Sequence, residues 1–189
     1  MGKRLGLIAG SVALAVLLII IFTVIETYSG LAASREAVDQ LAGNIQIELQ
    51  QQSDLIPNLI NAVQGYATHE EGIYTSLDNA RSRIMKAGSV EQMAEADAEL
   101  ANALSRLLVV VESYPELRTD QQFLALQDQL EGAENRLKTS CAKYNEAVRI
   151  YNTKRQRFPS SVFANAFNFD KADYFEVTPG AEAVQGMSY

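Results

Sequence analysis

LGLIAGSVALAVLLIIIFTVI, from Leu5 to Ile25, contains no charged residue, no Pro and no Asn or Gln, and nothing else in the chain resembles it. About 20 apolar residues rising about 1.5 Å each cross a hydrocarbon core about 30 Å thick. With no water there to bond the backbone, such a run must close its own hydrogen bonds as a helix. The stretch reads as a transmembrane helix, and everything after Glu26 hangs from a membrane. A cleaved secretory signal usually has an apolar region of about 7–15 residues. This run is longer, and no small-residue cleavage site stands directly behind Glu26, so a retained anchor is expected. Lys3 and Arg4 precede the span, whereas the first basic residue after it, Arg35, is followed by Glu36 and Asp39. The positive-inside rule then puts the N-terminus in the cytoplasm and the domain outside. Gly6 and Gly10 form a G-x-x-x-G, but glycines are frequent in membrane helices and the pair sits at the end of the span.

The chain has 189 residues and a formal net charge of −7. With the span removed, one domain is the expectation. The acidic balance argues against a nucleic-acid surface and gains nothing from anionic headgroups, so the lipid contact expected is the anchor alone. Cys141 is the only cysteine, which excludes an internal disulfide and a thiolate zinc site.

From Val38 the apolar residues recur at helical steps: Leu41, Ile45, Leu49, Ile56, Leu59, Val63, Tyr66, Ile73, Leu77 and Ile84. Pro57 removes an amide donor and crowds the Ser53 carbonyl, yet the stripe keeps its phase through it. The pattern predicts a long helix kinked at Pro57, with a turn there, and hence a fourth bundle helix, as the alternative. Lys86 followed by Ala87-Gly88 ends it. Ser89 with Gln92, and Thr119 with Gln122, read as capping boxes that open two further helices. The first carries Val90, Met93, Ala96, Leu100, Leu104, Leu107, Val111 and Tyr114. The second carries Phe123, Leu126, Leu130, Ala133, Leu137, Cys141, Tyr144, Val148, Tyr151 and Phe158. Tyr114-Pro115 and Phe158-Pro159 stop them, because Pro pushes the preceding residue out of helical geometry. The fold class expected is all-α: a single N-terminal transmembrane helix, then an up-down bundle of three long helices, or four if the chain turns at Pro57. By residue the expected division is an anchor at 1–28, a bundle at 29–158, an aromatic-rich clasp at 159–177 and a disordered tail at 178–189.

No catalytic constellation is present in the sequence. His69, the only histidine, would need a second His at position 73 for a zinc protease helix, and Ile73 stands there. A di-iron bundle needs Glu-x-x-His, and position 66 is Tyr. No phosphate-binding glycine pattern occurs, and neither a metal nor a cofactor is expected. Two sites stand out instead. Antiparallel registers about Gly88 and Leu117 would bring Glu70, Arg106, Asp128 and Glu131 to similar heights, a candidate polar layer in which Arg106 bridges carboxylates. Its bland alternative is a packing device or a solvated ion pair. The second is the repeat Tyr144-Asn145 and Tyr151-Asn152, one heptad apart on one helix face with Val148 between. Core packing with a buried hydroxyl hydrogen bond is its first reading, and a groove for a partner helix its second. With Phe158, Tyr174 and Phe175 it makes a candidate partner surface. Cys141, on the same stripe, reads as a small buried apolar residue.

The strings DLIPNL (Asp54–Leu59), GYATHE (Gly65–Glu70), SRLLVVVESYPEL (Ser105–Leu117), FLALQDQLEGAENR (Phe123–Arg136), YNEAVRIYN (Tyr144–Asn152), FPS (Phe158–Ser160) and YFE (Tyr174–Glu176) together closely resemble the LemA family of bacterial proteins. The resemblance covers nearly all of the chain past the anchor. It implies a membrane-anchored helical bundle of a bacterial envelope, and it does not imply an enzyme. Two departures stand out: Gln51-Gln52 replaces an arginine pair common before LIPNL, and Ser140-Cys141-Ala142 stands where relatives often have arginine. A non-enzymatic module that meets another envelope protein is the function expected, with self-assembly into a scaffold or bilayer-remodelling protein as the alternative. An unrecognised catalytic or ligand site in the polar layer is the remote third.

Overall fold

A computed structural model describes residues 2–67 and 69–176, and six helices account for nearly all of them. These are α1 (Gly2–Gln64), α2 (Glu71–Lys86), α3 (Val90–Val111), α4 (Pro115–Arg118), α5 (Gln121–Gln156) and α6 (Ser160–Ala166). The expected disordered tail lies outside the described residues. Two compact units divide the chain, and the division passes through α1 after Asp39 and through α5 after Glu146.

One unit holds 2–39 and 147–172. Here α1 is long and apolar enough to cross a membrane. From Val12 to Ile25 its large apolar side chains, all but the half-buried Val24, are exposed around the helix, Ile19 and Phe22 each at 65%. A helix apolar on every face and covered by no protein suits lipid as its solvent. Burial against protein begins with Thr27 and Leu31, and continues with Val38. The opposing wall is α5, with Val148 and Tyr151 fully buried, and α6, with Ala164 buried. Lys154 of α5 donates from Nζ to the Gly30 carbonyl at 2.6 Å. α6 ends on a Schellman turn: Asn168 takes the left-handed conformation (φ 55°), and the Phe169 N–H returns to the Ala164 carbonyl at 2.9 Å. The chain then runs extended.

The other unit holds 40–146 and 173–176. Four helical stretches make it up: 40–64 of α1, then α2, α3 and 121–146 of α5. Ile45, Leu49, Ile56, Leu59 and Val63 face Leu77 and Ile84, Leu100 and Leu107, and Phe123, Leu126 and Leu137, all buried. Ala80, Ala96, Ala103 and Ala133 lie among them, also buried, and let the helix backbones come close. Arg83 bonds Glu95 and Glu99 across the α2–α3 turn, so those helices are antiparallel. Gln52 to Glu134 and Glu48 to Arg136 set α1 against α5 in the same sense. The unit is an up-down four-helix bundle.

The fourth helix is present, but Pro57 does not create it. α1 continues through Pro57, and the break comes at Gly65-Tyr66, where the Tyr66 and Ala67 N–H groups both return to the Val63 carbonyl. A mid-helix Pro costs about 3 kcal/mol. Ile56, Leu59 and Ile60, all buried around it, each contribute about 1.5–3 kcal/mol, which is enough to hold the helix together. The caps also differ in detail. Ser89 Oγ accepts the Gln92 N–H as expected, but Gln92 Oε1 accepts from Gly88 N–H, one residue before the cap. At α5 the cap is Asp120, whose carboxylate accepts the Phe123 N–H at 2.9 Å, while the Thr119 hydroxyl donates to the Glu116 carbonyl. The short helix α4, opened by Pro115, takes Thr119 as its own C-terminal residue and leaves the next position to cap α5.

Candidate functional site

The Tyr-Asn repeat of α5 holds the extended segment that follows α6, and it does so through main-chain atoms. In the unit containing the anchor, Tyr151 donates its hydroxyl to the Asp170 carbonyl at 2.6 Å. Asn152 accepts the Ala172 N–H at 3.0 Å and donates to the Ala172 carbonyl at 2.8 Å. Arg155 adds an Nε–H bond to the Phe169 carbonyl at 2.6 Å. In the four-helix unit the same pattern recurs. Tyr144 donates to the Asp173 carbonyl at 2.8 Å, and Asn145 accepts the Phe175 N–H at 2.8 Å and donates to the Phe175 carbonyl at 3.0 Å.

Each asparagine thus uses its carboxamide as a neighbouring strand would use a peptide group. Seven helical residues advance about 10.5 Å, and three extended residues advance about 10 Å. A heptad on the helix therefore matches a three-residue step on the strap, from Asp170 to Asp173 and from Ala172 to Phe175. The side chains of Ala172 and Phe175 turn inward and are buried, while Lys171, Asp173 and Tyr174 stay exposed. Tyr144, Tyr151 and Asn152 are buried and Asn145 is half-buried. Phe158, assigned by sequence to the same surface, is 84% exposed and takes no part in these bonds.

Glu70, Arg106, Asp128 and Glu131 do not come together. Glu70 caps α2 after the break at Gly65, so it is not inside the first helix, and Arg106 lies exposed beside the buried Leu107 rather than on the core stripe. Asp128 and Glu131 are exposed, and among the described residues no ion pair joins these four.

A polar cluster forms elsewhere, and it includes Gln52 and Cys141, from the two stretches that depart from the family pattern. Gln52, nearly fully buried, donates to Glu134 at 3.3 Å, and Glu134 pairs with Lys138 at 3.3 Å. Gln52 Oε1 has no hydrogen-bond partner among the described residues. Burial, and then the Glu134 charge, push the nearby Asp97 carboxyl up to about 7 against the pull of Lys138. Cys141 is buried, and burial followed by Asp97 and Glu134 push its thiol up to about 12. Such a thiol is neutral and unreactive. No group of three or more His, Cys, Asp or Glu is placed to hold a metal among the described residues, and His69 is exposed.

Known relatives carry a comparable chain over most of their length. The magnetosome proteins MamQ 1 and MamQ 2 of Paramagnetospirillum magneticum are each 24% identical over 95% of this chain and 77% of their own. MamQ of Magnetospirillum gryphiswaldense is 22% identical over 90% of this chain and 73% of its own. The sequence profile of the LemA family matches residues 41–186. That span takes in all but the first residue of the four-helix unit, both Tyr-Asn pairs and the strap they hold, and the chain belongs to the LemA family.

Proposed function

We propose that this protein is a membrane-anchored, non-enzymatic scaffold of the bacterial envelope whose four-helix unit presents an interaction surface to another envelope protein. One observation carries the reading: the apolar run and the first bundle helix are a single uninterrupted helix of 63 residues. A helix that continues from the apolar run without a break suits a part that is held at a membrane. The polar residues that would be conspicuous in a catalytic site, Tyr144, Asn145, Tyr151 and Asn152, are committed to holding the strap. Relatives named as magnetosome proteins fit a membrane-associated role. The charge flanks of the span favour the inner membrane with the N-terminus in the cytoplasm and the bundle outside.

Chemical cross-linking in native membranes tests the role. One heterologous adduct is expected, and a ladder of self-adducts would replace the reading with self-assembly. Orientation is tested with a membrane-impermeant thiol reagent on Val109→Cys, an exposed position, in a Cys141→Ala background. Labelling of intact spheroplasts is expected, and labelling only after lysis reverses the orientation.

A further inference from the structure

The chain is acidic as a whole, but its charge is unevenly placed. Between 147 and 172 it carries Arg149, Lys154, Arg155, Arg157 and Lys171 against Asp170 alone. The same stretch carries large exposed apolar side chains: Phe158 at 84%, Val162 at 59% and Phe167 at 43%. Among the described large hydrophobics outside the apolar run, none is more exposed than Phe158.

The depth of these residues follows from the anchor in the same unit. Lys154 reaches the Gly30 carbonyl, so the last turns of α5 lie beside Gly30. α5 runs antiparallel to α1 here and ends at Gln156, which at about 1.5 Å per residue lies about 3 Å nearer the apolar run than Lys154. The turn that carries Phe158 follows directly, at the end of α5 that points toward the apolar run. A second contact points the same way. Tyr28, three residues past Ile25 and 48% exposed, meets Phe167 edge-on at 5.3 Å and Phe169 at 5.6 Å. Phe163 stacks on Phe167 at 6.4 Å and joins α6 to this group. Tyr and Trp rings, apolar at one end and polar at the other, concentrate at the headgroup level of membrane proteins, and Tyr28 is of that kind; the wholly apolar Phe rings packed on it suit the acyl side of that boundary. Basic side chains beside them face lipid phosphate.

We infer that α6 and the turn before it rest on the bilayer interface, with Phe158 and Val162 entering the acyl boundary and Arg157 facing lipid phosphate. This second membrane contact replaces the expectation that the anchor alone touches lipid. It also accounts for the exposure of Phe158 and Val162, which on an aqueous surface would leave a patch of apolar area next to a membrane. A short amphipathic segment of this kind adds apolar burial and electrostatic attraction to what the span provides.

The inference rests on the membrane-anchored reading, and the test separates the two. The chain contains no Trp, so Phe158→Trp creates a single tryptophan in the full-length protein, which is excited selectively at wavelengths where tyrosine does not absorb. Ile19→Trp serves as the reporter for the span. Both are reconstituted into vesicles of phosphatidylcholine and phosphatidylglycerol whose acyl chains are brominated either near the headgroup or near the bilayer centre. Phe158→Trp is expected to show blue-shifted emission and to lose most of it to the shallow bromines, and Ile19→Trp to the deep ones. Water-like emission from Phe158→Trp with Ile19→Trp still quenched overturns the inference and leaves the anchor standing. Blue-shifted emission that no brominated lipid quenches also overturns it, because it places the ring against protein. Loss of quenching in Ile19→Trp would remove the anchored reading itself, and the inference with it.

Discussion

Asn152 grips Ala172 by both main-chain polar groups, accepting its N–H at 3.0 Å and donating to its carbonyl at 2.8 Å. Both residues are buried, so neither group has water to fall back on. Removing the side chain leaves two buried peptide groups without partners, at about 1–2 kcal/mol for each. Asn152→Ala is therefore expected to cost about 2–4 kcal/mol and to speed exchange of the Ala172 amide hydrogen. Asn152→Asp is expected to behave almost as badly, since a carboxylate accepts from the N–H but faces the carbonyl with no donor. Thermal melts and hydrogen exchange check both; an unchanged Ala172 amide in Asn152→Ala would mean that the strap is held by something else.

Asn145 makes the same pair of bonds to Phe175 but is only half-buried. Water can replace part of what is lost, so Asn145→Ala is expected to cost about 1–2 kcal/mol. Phe175→Ala is expected to cost more, about 3–5 kcal/mol, because the ring is buried and its removal leaves a cavity. The order Phe175→Ala, Asn152→Ala, Asn145→Ala in melting temperature is the check, and Asn145→Ala as the most damaging of the three would contradict it.

The all-helical bundle is legible in the sequence because its signals are local: the stripe of Leu100 and Leu107, the Ser89 cap and the Pro115 stop each act within a few residues. Gly65-Tyr66 is hidden as the break between α1 and α2 because Pro57 offers the stronger chemical interruption, and packing of Ile56 and Leu59 outweighs it. The Tyr-Asn repeat is visible, but its partner is not. A helix heptad and a three-residue strap step match in ångströms while differing in sequence period, so spacing in one does not announce the other. The layer expected of Glu70, Arg106, Asp128 and Glu131 fails for a simpler reason. Its register is counted from turn centres, and one misplaced break moves Glu70 from the side of a helix to its end.

Ion pairs and core residues of the same bundle are expected to differ sharply in weight. Arg83 meets Glu95 and Glu99 with all three side chains about half exposed. Exposed pairs of this kind contribute about 0.2–1 kcal/mol and fade with salt. Arg83→Ala is expected to cost less than about 1 kcal/mol at low salt and nearly nothing in molar salt. Leu100, fully buried in the same bundle, is expected to cost about 3 kcal/mol as Leu100→Ala at either salt. Melting curves of the two variants at both ionic strengths decide it.

Asp97 gives the bundle a pH dependence whose sign is opposite to that of an ordinary ion-paired carboxylate. Burial, reinforced by Glu134 and opposed by Lys138, raises its carboxyl from 3.8 to about 7 in the folded chain. Between those two values the folded state holds a proton that the unfolded state has released, so stability falls as pH rises through that window. Below about 4 both states are protonated and the group is neutral in its effect; above about 7 the full penalty of a desolvated charge remains. A tenfold change in proton affinity corresponds to about 1.4 kcal/mol, and relaxation around a half-buried group brings the expected penalty to about 1–3 kcal/mol. Asp97→Asn removes the charge while keeping the shape. The variant is expected to match the parent near pH 4, to exceed it by that margin at pH 8, and to flatten the decline between. Denaturant melts across this range measure it directly, and a parent protein that gained stability from pH 4 to pH 7 in step with an unchanged Asp97→Asn variant would show that Asp97 is not the titrating group.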